Sequence, residues 1–162
     1  MTRPIASRPH MPGYDLAVES DGLLTWDWAR ERLAKSHNYY VATTRLDGRP
    51  HVMPVWGVWI DDRFLFSTGV TSAKARNLAA NPACAITTET ADEAVIVEGS
   101  VAEEHDAAAL KRFVADYKTK YDWEMDAAGG GIFTFTPGVA FGFIESADSF
   151  QATATRWRFP TA

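Results

Sequence analysis

With 162 residues, 46% of them hydrophobic and 12% aromatic, the chain is long enough for one well-buried domain and too short for two comfortable ones. A net charge of −5 gives no general attraction to nucleic acid or to an anionic membrane surface. The single Cys84 excludes an internal disulfide, no Cys cluster or His-x-x-x-His pair marks a metal site, and no run of 18 apolar residues marks a membrane span, so a soluble cytoplasmic protein is expected.

Residues 1–21 carry Pro4, Pro9 and Pro12 among polar residues and show no periodicity, which predicts a flexible tail ahead of a single domain spanning 22–162. Trp26, Ala29, Arg30 and Leu33 then fall on one side of a helix of about three turns. From Tyr39 the pattern becomes β-branched and aromatic. Tyr39 to Arg45 is a strand, Asp47-Gly48 a tight turn, and Pro50 to Ile60 a single partner strand; Asp61-Asp62 turns back into Arg63 to Ser67. Val55, Trp56, Val58 and Trp59 leave that second strand little polar face, which predicts burial on both sides and a subunit interface.

The stretch Phe64 to Pro82 joins a strand, a small donor-rich loop and a helix start. Ser67, Thr68, Gly69 and Thr71 form the loop, Ser72 is the N-cap of a helix over Ala73 to Ala80, and Asn81-Pro82 ends it. A helix N-terminus offers unpaired N–H groups and about half a positive charge, and Lys74 in the first turn adds a whole one, so a phosphate-bearing cofactor is expected here. Neither a P-loop nor a dinucleotide fingerprint is present. Arg76 lies about 200° around the helix from Lys74, whereas Asn77, three residues on, shares its face.

Strands follow at Cys84 to Glu89 and Val95 to Glu103. Leu110, Phe113, Val114, Tyr117 and Tyr121 recur at helical spacing after Asp106, and Asp122 to Gly131 is a loop. Ile132 to Thr136, Val139 to Ile144 and Thr153 to Phe159 are the last strands, with Pro137-Gly138 as a turn between the first two. About eight short strands with three inserted helices describe a mainly β protein, a closed or split barrel.

Asp47-Gly48-Arg49-Pro50-His51-Val52, Pro54-Val55-Trp56, Phe66-Ser67-Thr68, Lys74-Ala75-Arg76-Asn77-Leu78 and Asn81-Pro82 resemble, in order and spacing, the pyridoxamine 5′-phosphate oxidase-like split-barrel superfamily. Within it the chain is most similar to the flavin/deazaflavin oxidoreductases. That resemblance implies an FMN-binding-like split β-barrel, a homodimer with two interface cofactor sites, and coenzyme F-420 or, alternatively, FMN as cofactor. It implies Lys74 as phosphate ligand, Arg76 and Asn77 near the phosphate or ribityl chain, Ser67 and Thr68 near the cofactor tail, and Met53, Pro54, Val55 and Trp56 along the ring; Ser72, the helix cap, joins the expected cofactor-binding residues from the helix-terminus argument. It also sets Trp157 as a residue reaching into the partner's site. The activity it implies is hydride transfer to a small conjugated acceptor. Substrate-phosphate residues of true pyridoxamine phosphate oxidases are not evident, and a non-catalytic flavin- or haem-binding protein is the reading from another class.

Overall fold

The structure, a computed structural model, describes residues 3–127, 129 and 131–160. Nine strands and four helices are seen among them: β1 (Ile5–Ser7), α1 (Trp26–Lys35), β2 (Tyr39–Thr44), β3 (Pro50–Val55), β4 (Gly57–Ile60), β5 (Arg63–Ser67), α2 (Ala73–Ala80), β6 (Ala83–Thr88), β7 (Glu93–Glu103), α3 (Ala107–Tyr121), β8 (Ile132–Ile144), α4 (Phe150–Thr153) and β9 (Thr155–Arg158). All strand pairings are antiparallel. The sheet runs β1-β9-β8-β7-β6-β2-β3, and a branch leaves it at β8 through β5 to β4.

That branch makes the barrel. β8 is long enough to serve two neighbours, pairing with β5 over Ile132 to Phe135 and with β9 over Val139 to Gly142. The circuit β3-β2-β6-β7-β8-β5-β4 then returns to the corner between β3 and β4, which are consecutive in the chain but pair with different neighbours. The result is a split β-barrel. Its interior holds Tyr39, Val41, Phe64, Phe66, Ile86, Val95, Val97 and Phe135, closed at one end by Trp26 and Leu33 of α1. A second core lies outside the wall, where Phe113 and Tyr117 of α3 pack on Val58, Ile60, Leu65 and Ile132.

The expected single strand from Pro50 to Ile60 is two. It breaks at Trp56 because Gly57 takes the chain round the corner: a Cβ there would sit 2.2 Å from the Phe64 ring and 2.7 Å from the Leu65 carbonyl oxygen. The expected turn at Pro137-Gly138 is instead the middle of β8. The register with β7 shifts there, since Gly99 opposes Pro137 and Glu98 opposes Val139, which leaves Gly138 as the extra residue of β8. A bulge absorbs the hydrogen bond that a proline nitrogen cannot donate.

Within the expected tail over 1–21, of which residues 1 and 2 lie outside the described residues, a short strand and a side-chain clasp are seen. β1 adds to the sheet edge at β9, and the Arg8 guanidinium donates to the carbonyls of Glu19, Asp21 and Ala154 at 2.7–3.1 Å. Three residues of edge pairing leave too short a pattern for periodicity to register. Both helix starts behave as the sequence predicts. Ser72 Oγ accepts from the Ala75 amide at 3.1 Å, and an Asp106 carboxylate oxygen accepts from the Ala109 amide at 2.8 Å.

Candidate functional site

The N-terminus of α2 packs beside the β2–β3 hairpin, and this gathers polar groups from three segments. Lys74 is 8% exposed, yet among the described residues its ammonium makes no hydrogen bond and no ion pair. Burial alone lowers its pKa. Nζ is not among the side-chain atoms sealed from water, so the stem is covered while the unpartnered charge stays open to an anion. At the start of the helix, the Thr68 and Ser72 hydroxyls meet at 3.1 Å, and the Thr68 amide donates to the Gly131 carbonyl at 2.9 Å, which ties the loop to the start of β8.

Asn77, also buried, turns its amide group inward and donates to Thr43 Oγ1 on β2 at 3.0 Å. Thr43 Oγ1 in turn lies 3.3 Å from Nδ1 of His51, its cross-strand partner on β3. Burial first, then the charges of Arg45 and Lys74, hold the His51 pKa below its ordinary value. Lys74, Asn77, Thr43 and His51 therefore form one corner of the barrel mouth.

Arg76 is on the other side of α2. It is exposed, and its guanidinium donates to the carbonyl of Thr71. With Arg45, Asp47, Arg49 and Asn77 it lines a cleft of about 220 Å³. Asp47 pairs with Arg49 at 2.7 Å, which leaves Arg45 and Arg76 as the charges without a carboxylate partner in this cleft.

β3 lies along the open edge. Met53 and Pro54 are exposed, while Val55 turns into the core. Trp56 at the corner is 38% exposed, stacks on Tyr121 of α3 at 4.6 Å with the planes 4° apart, and donates its indole N–H to Asn38 Oδ1 at 3.1 Å. Its expected place in a fully buried strand is corrected: it forms a wall of the split with one edge left open.

Of the expected residues, Thr68 and Ser72 meet at the start of α2, with Ser67 ending β5 just before them, while Lys74 and Asn77 are the buried polar residues of α2 itself. Arg76 is set apart from Lys74 by the helix turn. Trp157 is placed elsewhere altogether: it is fully buried in its own chain, edge-on to Trp26 at 5.5 Å. An indole so enclosed does not reach a partner subunit. Thr43 and Arg45 lie outside the quoted motifs, and Arg49 and His51 stand in the Asp47–Val52 motif without a role assigned there; the signal for Thr43 and His51 is the Asp47-Gly48 turn, which sets them opposite each other.

The pyridoxamine 5′-phosphate oxidase family model matches residues 26–138, from the start of α1 to the middle of β8. The chain belongs to the pyridoxamine 5′-phosphate oxidase family. No curated protein matches it. Among solved structures it is similar to an F-420 reductase (TM-score 0.54, 22% identity, covering 76% of this chain and 98% of that one). It is also similar to an FAD-binding protein from Mesorhizobium loti (0.58, 16%, 84% and 96%) and to the haem storage protein HutZ from Vibrio cholerae (0.57, 18%, 67% and 87%). At these identities the likeness is one of fold. The family match takes in the hairpin, the corner at Trp56 and all of α2. Among the described residues no helix is long and apolar enough to cross a membrane.

Proposed function

We propose that this pyridoxamine 5′-phosphate oxidase family member is an oxidoreductase that binds a phosphate-bearing flavin or deazaflavin, with the phosphate at Lys74 and the ring along Met53 to Trp56. The observation that carries the reading is the unpartnered ammonium of Lys74 at the α2 N-terminus. The Thr68 and Ser72 hydroxyls add neutral donors beside it, while Ser72 stays engaged as the cap. When bound, such a cofactor supplies the hydride chemistry. The protein's part is to bind the phosphate, align the ring on the β3 edge and keep the site dry against the Trp56–Tyr121 wall.

Coenzyme F-420 is favoured over FMN by the arginine cleft. F-420 carries an acidic oligoglutamate tail, and the cleft that Arg45, Arg49 and Arg76 line beside Asn77 holds one carboxylate, Asp47, against three arginines. The solved F-420 reductase and FAD-binding neighbours support a cofactor of this class on the same fold. A second copy of the chain is part of the proposal. Tyr40 and Val52 stand 43% and 53% exposed on the outer face of the β2–β3 pair, beside the cofactor edge, where a partner would cover them.

Parallel fluorescence titrations of the protein with F-420 and with FMN test the reading. Wild-type protein binds F-420 in the micromolar range, and Lys74→Ala weakens it by about 1.5–3 kcal/mol, the scale of a charge-assisted hydrogen bond. Equal binding by Lys74→Ala overturns the site, and binding of FMN alone overturns the F-420 assignment. Catalysis is separated from storage by whether the reduced, bound cofactor reoxidises faster when conjugated acceptors are added.

A further inference from the structure

A chain of three side chains on the inner wall of the barrel mouth has no role in the cofactor scheme above. Asn77 Nδ2 donates to Thr43 Oγ1 at 3.0 Å, and the Thr43 oxygen is 3.3 Å from His51 Nδ1. Asn77 and Thr43 are 6% and 4% exposed, and both are set by regular structure, one by α2 and the other by the antiparallel register of β2 with β3. His51 is only partly covered, and Met53, two residues further along the same face of β3, is 45% exposed. The imidazole thus has one nitrogen against a buried hydroxyl and the rest of its ring toward the mouth.

The hydrogen bonds of this chain set a preference between the two tautomers of His51. The Thr43 oxygen already accepts the Asn77 amide hydrogen, so its own hydrogen is free to be donated. Two acceptors are near: His51 Nδ1 at 3.3 Å and the His51 carbonyl oxygen at 3.4 Å. Donation to Nδ1 leaves the ring neutral with its proton on Nε2, which is also the intrinsically favoured tautomer of neutral imidazole. A neutral ring suits a position flanked by the charges of Lys74 and Arg45, which oppose a third positive charge.

We infer that Asn77 and Thr43 are positioning residues that hold His51 in the Nε2–H form, and that this N–H is a further donor to an oxygen of the phosphate-bearing cofactor gripped at Lys74. The inference rests on the cofactor reading for its second half only. It changes the part expected of Asn77, which acts through Thr43 rather than on the phosphate. Two donors on different elements, one charged and one neutral, then bracket the ligand: Lys74 from the helix and His51 from the edge strand.

Long-range ¹⁵N–¹H correlation on the imidazoles of the ligand-free protein, above the titration of His51, reads the tautomer directly. The Nε2–H pattern is expected in the wild type, a mixture of tautomers in Thr43→Val, and recovery in Thr43→Ser. The same three proteins are titrated with F-420 and FMN, beside Lys74→Ala. Thr43→Val is expected to weaken binding about 3- to 10-fold, the worth of one neutral hydrogen bond, and Thr43→Ser to restore it. An Nδ1–H pattern in the wild type overturns the inference whatever binds. If Lys74→Ala weakens binding and Thr43→Val does not, the donor role of His51 is wrong and the cofactor reading stands; if neither cofactor binds the wild type, both fall.

Discussion

Two lysines are drawn out of water in this barrel, and they are handled in opposite ways. Lys120, on the last turn of α3, donates to Tyr39 Oη at 2.7 Å and to the Gly57 carbonyl at 3.2 Å, and its ammonium lies 4.6 Å from the centre of the Tyr39 ring. Tyr39 in turn donates to the Leu33 carbonyl, and Tyr121 donates to the Gly57 carbonyl at 2.8 Å. Lys120 is thus a clasp that fastens α3 to the corner between β3 and β4. Lys74 has nothing comparable among the described residues. Several groups satisfy the Lys120 ammonium and none among the described residues satisfies that of Lys74, and the ligand site proposed at Lys74 rests on this contrast.

The comparison is broken most strongly at Tyr39. Tyr39→Phe removes the acceptor of Lys120 and the donor to Leu33 inside the first core, and it should lower stability by about 1–3 kcal/mol in urea unfolding. A smaller change would mean that the clasp contributes little and that the two lysines differ less than their geometry states.

A second effect, on the scale of about 1 kcal/mol, is expected with pH. Burial depresses the Lys120 pKa from its ordinary 10.5 to about 8, with Glu89 opposing, so the folded state holds the proton less tightly than the unfolded chain does. The unfolded chain therefore carries more protons between about pH 8 and 10.5, and this lysine's contribution to stability rises with pH across that window. Burial of Cys84, which moves its thiol up to about 12, works the other way from about pH 9 upward. Comparing wild type with Lys120→Met at about pH 7.5 and pH 9 cancels that background, and the wild type should gain more stability than the variant over the span.

The smallest effect sharpens the contrast by its sign. Lys74→Met in the ligand-free protein removes an unpaired charge and keeps most of the side-chain volume, so stability should stay level or rise by about 0.5–1 kcal/mol in thermal unfolding. A clear loss would show that Lys74 serves the fold, and it would count against the ligand site.

Several of these features are legible from local chemistry. The bounds of α2 follow from Ser72 and Asn81-Pro82, and the hairpins follow from Asp47-Gly48, where Gly48 takes positive φ, and from Asp61-Asp62, where both residues do. The family motif lies in the same stretch, so Lys74, Ser72 and the loop before them stand out in one dimension. Four other features do not. β1 and α4 are too short to show a period, Pro137 passes through a strand only because Gly99 across from it permits a bulge, and Trp56 looks like the middle of a strand until Gly57 turns the corner.

By itself, then, the sequence determines the elements whose signals are local: caps, tight turns, the apolar periods of α1 and α3, and a cation placed at a helix start. Only the tertiary structure decides which of those groups meet. That Arg76 lines a cleft that Lys74 does not, that Asn77 is engaged by Thr43, that Trp157 is sealed behind Trp26, and that Lys120 finds partners while Lys74 finds none among the described residues all depend on the closure of β8 onto β5 and on the register of β2 with β3. Pairing between distant segments is set by the packing of the whole barrel, whereas a cap or a turn needs only its own few residues.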